Sequence, residues 1–172
     1  SSHLPTVSPG PTLLPPLVGA SSFEDLVHAI TVDRYPRIEV LSDMVVTTHI
    51  NISNVTGMTI YSTTNAALDG QGSTQLFHIE GGSEITFAGL HFRNGNAELG
   101  DGGCMHVSGA STVNVDGSAF SACTASRQGG AVFVESGSQA LVTNTSLADC
   151  SATHGGGICL LSASTAVVGS SA

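Results

Sequence analysis

The sequence predicts an all-β, right-handed, single-stranded parallel β-helix with three strands per coil and a short helix capping its N-terminal end. Two observations carry this prediction. Short apolar–x–apolar segments recur every 26–28 residues, and pairs of glycines recur in step with them. A third observation, an amphipathic stripe just before the first repeat, predicts the cap.

The leading series starts at Ile50-Asn51-Ile52. It returns at Phe77-His78-Ile79, Met105-His106-Val107, Val132-Phe133-Val134 and Ile158-Cys159-Leu160. In a strand the outer two side chains of each triplet point one way and the middle one the other. A second series runs Met58-Thr59-Ile60, Ile85-Thr86-Phe87, Val113-Asn114-Val115, Ala140-Leu141-Val142 and Ala166-Val167-Val168. Phe92, Phe120 and Leu147 form a third. One coil cannot bury its inward side chains alone. Coils stacked ~4.8 Å apart turn each inward position into an apolar ladder. Gly102-Gly103, Gly129-Gly130 and Gly155-Gly156 mark one corner, where positive φ or close packing demands glycine. A β-sandwich would show hairpin turns and no fixed period.

Residues 21–34 read as the capping helix. Ser21 and Glu24 have capping-box spacing, and Phe23, Leu26, Val27 and Ile30 form an apolar stripe. Tyr35-Pro36 ends it. Such a cap covers the open first coil and its strand edges. Residues 1–20 hold five of the six prolines and read as an extended linker. Residues 37–172 then supply about five coils. The last apolar segment is followed by Gly-Ser-Ser-Ala with no polar lid, so further coils or other subunits are expected to stack on that end. The chain reads as a mature or partial product, since no signal-peptide pattern opens it.

Composition narrows the function classes. A net charge of −9, with four arginines and no lysine, disfavours nucleic acid and anionic membrane surfaces. No apolar run reaches the ~20 residues of a membrane-spanning helix. Three N-glycosylation triplets begin at Asn51, Asn54 and Asn144. None of the four cysteines lies in a CxxC or CxxH pair, which disfavours zinc. Cys123 and Cys150 hold the same position in successive coils, so stacking predicts a disulfide between them; two buried free thiols are the other reading. Cys104 and Cys159 fall out of register with that pair. Sequons and cysteine placement together favour an extracellular or cell-surface protein.

The repeat unit resembles that of the polymorphic outer-membrane proteins of chlamydiae, with their GGA-apolar and FxxN motifs. Phe120-Ser-Ala-Cys123, Ala125 and Gly129-Gly130-Ala131-Val132 carry the resemblance. Leu147-Ala-Asp-Cys150, Ala152 and Gly155-Gly156-Gly157-Ile158 repeat it, and Phe92 to Asn96, Ala97 and Gly102-Gly103-Cys104-Met105 form a looser copy. Cysteine replaces the motif's asparagine twice. The resemblance covers about residues 84–168. It implies membership of the wider pectin-lyase-like superfamily and a surface-exposed adhesive or passenger role.

Enzymatic β-helices act on acidic polysaccharides through an Arg or Lys base, or through clustered carboxylates. No such cluster emerges here. Glu80 and Glu135 share a column with Ser108 between them, and Asp116 is flanked by Ala88 and Thr143. Arg93 and Arg127 sit near turns without an evident partner. Leu68-Asp69-Gly70-Gln71-Gly72 resembles a turn of polygalacturonase-like β-helices, and reads as a corner in which Asp caps backbone amides. His78 and His106 stack on adjacent coils. They form either a solvent-facing polar ladder or a pair able to contact a sugar or a metal. Outward Phe133, Cys159, Leu141 and Val167 predict a surface that a partner covers. The expectation is therefore a non-catalytic structural or adhesive module of a larger glycoprotein, with no cofactor, no nucleic acid and no membrane insertion. Further coils, other subunits or glycans are its expected partners. The alternative is a carbohydrate-active or carbohydrate-binding β-helix.

Overall fold

The computed structural model describes residues 16–162 and 164–169. They form a parallel β-solenoid. Its seven-stranded face comprises Leu17–Ala20, Arg37–Val40, Thr56–Tyr61, Glu84–Ala88, Thr112–Asp116, Gln139–Thr143 and Thr165–Gly169. A five-stranded face stacks Ile50–Ser53, Phe77–Glu80, Met105–Val107, Val132–Val134 and Ile158–Leu160. The third face, also five-stranded, stacks Met44–Val45, Ala67–Asp69, His91–Arg93, Ala119–Ser121 and Ser146–Ala148. Five stacked strands on a face make about five turns.

The predicted registers are the observed ones. Ile50, Phe77, Met105, Val132 and Ile158 are partners in succession. So are Thr59, Thr86, Asn114, Leu141 and Val167. The third series gains two members that the repeat did not reveal, since Met44 pairs with Leu68 and Leu68 with Phe92. Inward side chains fill the lumen. Phe92 stacks on Phe120 at 4.7 Å and meets Phe87 edge-on at 5.4 Å; Phe77 closes the cluster 4.9 Å from Phe87.

The cap forms one residue later than expected. The helix spans Phe23–Thr31 with Ser22 as N-cap. The Asp25 N–H donates to Ser22 Oγ at 3.1 Å, and the Ser22 N–H donates to the Asp25 carboxylate at 3.1 Å. Ser21 also donates to Asp25, so the carboxylate gathers both serines and outcompetes Glu24. Leu26, Ala29 and Ile30 are buried in the same core as Ile38 and Val40. The expected linker yields a strand at Leu17–Ala20, which pairs in parallel with Arg37–Val40. Residues 1–15 of that linker, and the terminal Ser-Ser-Ala, lie outside the described residues.

A serine ladder, which the apolar period does not mark, supports one corner. Ser83, Ser111 and Ser138 are buried. Their hydroxyls accept from the N–H of Val55, Ser83 and Ser111 respectively, at 3.1–3.2 Å. Each hydroxyl thus satisfies a buried amide one coil earlier, where a lost bond would cost about 1–3 kcal/mol. At the glycine corner the two demands separate. The first glycine of each pair takes positive φ (Gly129, +64°), while the second allows close approach: a Cβ on Gly130 would run into the carbonyl oxygen of Gly156.

The expected Cys123–Cys150 bridge is not the one formed. Cys104 bonds Cys123, with Cα atoms 5.5 Å apart, and Cys150 and Cys159 are free. Residues in register on parallel strands project side by side, with Cβ atoms about as far apart as the strands. That exceeds the usual disulfide Cβ separation of roughly 3.5–4.5 Å. Cys104 and Cys123 open and close one coil, and their side chains converge across its corner.

Candidate functional site

The outward side of the second face carries the residues with the most chemistry. Asn51, His78, His106, Phe133 and Cys159 are successive register partners there. The rings of His78 and His106 stack with centroids 4.6 Å apart and planes 20° from parallel. His106 Nε2 lies 3.0 Å from Glu135 Oε1, and His78 Nε2 lies 3.8 Å from Glu80 Oε2. Asn51 Nδ2 donates to Glu80 Oε1 at 3.3 Å. The His49 ring, 6.5 Å from that of His78, extends the row. Burial first, and the neighbouring His106 second, push the His78 imidazole below its ordinary pKa.

Strand alternation places these side chains outward, and the 28-residue step from His78 to His106 stacks them. Each imidazole has its own carboxylate, so the pair forms two adjacent acid–imidazole couples rather than one converging ligand set. Among the described residues no group of three or more His, Cys, Asp or Glu side chains is placed to hold a metal ion. Phe133 departs from expectation. It is only 1% exposed, with the His106 ring edge-on at 5.1 Å and Gly129 packed against its backbone. Its own chain covers it, and Cys159 is half-buried. On the neighbouring face Leu141 (41% exposed) and Val167 (61%) do stand open.

Beside the histidines runs an open groove of ≈ 500 Å³. His49, Ser73, Thr74, Gln75, Asn96 and His106 line it, with the exposed Leu99 at its rim. The lining mixes hydroxyl, amide, imidazole and carboxylate groups with apolar surface from Ala97 and Leu99, the kind of mixture that an amphipathic ligand such as a sugar can meet.

The other polar motifs are corner devices. Asp69 Oδ1 accepts from the Gln71 N–H at 2.8 Å and from Asn94 Nδ2 at 3.0 Å, and Arg93 Nε donates to Oδ2 at 2.9 Å. Burial opposes the charge, but these donors together hold the carboxyl below its ordinary pKa. The predicted cap is present, and Arg93, expected to stand alone, is its partner from the next coil. Arg127 likewise has a partner, in Asp101 at 3.5 Å. Asp116 accepts from Thr143 Oγ1 at 2.7 Å and Asn144 Nδ2 at 2.9 Å, which lowers its pKa. Sequence distance hid these pairs, because their members lie 24–28 residues apart and meet only when coils stack. The sequon residues Asn51, Asn54 and Asn144 are all exposed.

Fold and site together define a parallel β-solenoid with a histidine-bearing face and a side groove of mixed lining. No protein-family description, curated protein or solved structure matches the chain.

Proposed function

We propose that this chain is a non-catalytic structural or adhesive β-solenoid module of a larger secreted or cell-surface glycoprotein. The observation that carries the reading is where its charges go. Asp69, Arg93 and Asp116 are bound into corners that tie one coil to the next. A lyase or hydrolase would present such groups free on one face. Three exposed sequon asparagines support a glycosylated surface. The resemblance of the 84–168 repeats to adhesin passengers of the pectin-lyase-like superfamily points the same way. Leu141 and Val167 give a partner subunit, or further coils, an apolar place to rest.

The test is incubation of the secreted protein with polygalacturonate and alginate, following unsaturated products and reducing ends. No turnover is expected. Turnover lost in Arg93→Ala would overturn the reading.

The groove favours a second reading, a carbohydrate-binding β-helix. Saturable binding of oligosaccharides in calorimetry, weakened at least about tenfold by His106→Ala with the fold intact, would establish it.

A further inference from the structure

We propose that the side groove takes a cationic amino sugar, an oligosaccharide whose rings carry free ammonium groups. This choice of sugar rests on the carbohydrate-binding reading of the groove. Most of the lining's side-chain donors are already engaged by the chain itself. Ser73 Oγ donates to the Gly70 carbonyl at 3.0 Å, and Thr74 Oγ1 donates to the Gln75 carbonyl at 3.0 Å. A hydroxyl has one hydrogen, so only lone pairs remain for a ligand. Gln75 Nε2 donates to the carbonyls of Asp101 and Gly102, which uses both amide hydrogens and leaves Oε1. Asn96 Nδ2 donates to the Gly72 carbonyl at 2.8 Å. Glu135 occupies His106 Nε2 at 3.0 Å. The groove therefore offers a ligand mainly acceptors.

Its fixed charges have the matching sign. Glu98 and Asp101 line the groove, and neither Arg nor Lys does. Arg127 approaches Asp101 Oδ2 at 3.5 Å, from a side chain 64% exposed. Among the described residues nothing donates to the buried Asp101 Oδ1. An ammonium carries three donors and no acceptor, and its hydrogen bonds to carboxylates are roughly twice as strong as neutral ones. A uronic acid would instead bring its carboxylate against Glu98 and Asp101. The spread of the acceptors selects a ring over a simple amine. Ser73, Thr74 and Gln75 lie on one coil and Asn96 to Asp101 on the next, joined where the Asn96 N–H donates to the Thr74 carbonyl at 2.9 Å. Hydroxyls and ammonium groups distributed around a sugar reach both coils, whereas an alkylammonium donates from one end. Leu99, 95% exposed at the rim, gives the C–H face of the ring an apolar contact.

The test is calorimetry on the full chain at about pH 6, where an amine of this kind is largely charged. The probes are a glucosamine oligomer, the N-acetylglucosamine oligomer of the same length, a galacturonate oligomer and spermidine. The glucosamine oligomer is expected to bind at least about tenfold more tightly than the acetylated one, which keeps the skeleton and removes the charge. Galacturonate and spermidine should bind more weakly still. Glu98→Gln alters one exposed side chain, so its urea midpoint should stay unchanged while glucosamine binding weakens about tenfold. Glu24→Gln, on the capping helix, controls for diffuse attraction to a chain of net charge −9 and should leave binding unchanged. Equal affinity for the acetylated oligomer, preference for galacturonate, or spermidine binding as tightly would overturn the amino-sugar proposal. Of these, the first two would leave the carbohydrate-binding reading standing. Equal losses in Glu98→Gln and Glu24→Gln would overturn the proposal as well, by placing the attraction outside the groove. Binding of none of the oligomers would overturn both.

Discussion

The middle coils and the last coil carry the same pattern in sequence and live in different environments. In one inward column Phe87, Val115 and Val142 are at most 1% exposed, and their partner Val168 is 62% exposed. In another, Val107 and Val134 are fully buried and Leu160 is 39% exposed. A coil in the middle is roofed and floored by its neighbours, whereas the last described coil is covered on one side. Burial in a solenoid is a nearest-neighbour quantity, so an identical residue contributes according to how many coils it touches.

Three substitution series sharpen or break this comparison. The largest effect is expected at Phe92, enclosed by Phe77, Phe87 and Phe120. Phe92→Ala should cost about 3–5 kcal/mol of unfolding free energy in urea titration. A loss under about 1 kcal/mol would mean that the lumen is loosely packed. Next comes the paired test within one column. Val142→Ala should cost about 2 kcal/mol and Val168→Ala less than about 0.5 kcal/mol. Equal losses would show that the last coil is covered in solution, by another copy or by further chain.

The smallest effect concerns pH. His78 has a folded pKa below the ordinary 6.5, through burial and then the nearby His106. The unfolded chain binds that proton more readily, so this contribution is fully present above pH 6.5 and is lost as pH falls through the folded value. Asp69, lowered from 3.8, contributes above pH 3.8 and loses that contribution as pH falls through its own folded value. Urea midpoints measured from about pH 7 to pH 3 should decline in two stages. His78→Gln should remove the upper stage and spare the lower. An unchanged upper stage would reassign it to another histidine.

Much of this molecule was legible as a repeat. Register partners such as Ile50, Phe77 and Met105 follow from period alone, because stacking converts a fixed residue interval into a contact. The His78–His106 stack was legible for the same reason. What escaped were departures from the period and contacts across corners. The Leu17–Ala20 strand was hidden among prolines. Two serines beside two acids made the helix cap ambiguous by one residue, and the carboxylate with both serines in reach settled it. Phe133 reads as outward and exposed by alternation, yet its own chain covers it.

The sequence by itself determined the solenoid, its face assignments and its inward ladders, since these depend on the period and alternation of apolar residues. Only the tertiary structure decided the cysteine pairing, the partners of Arg93 and Arg127, and the burial of each coil. Register counts residues along the chain, whereas a bond depends on where Cβ vectors point and on which neighbours exclude water.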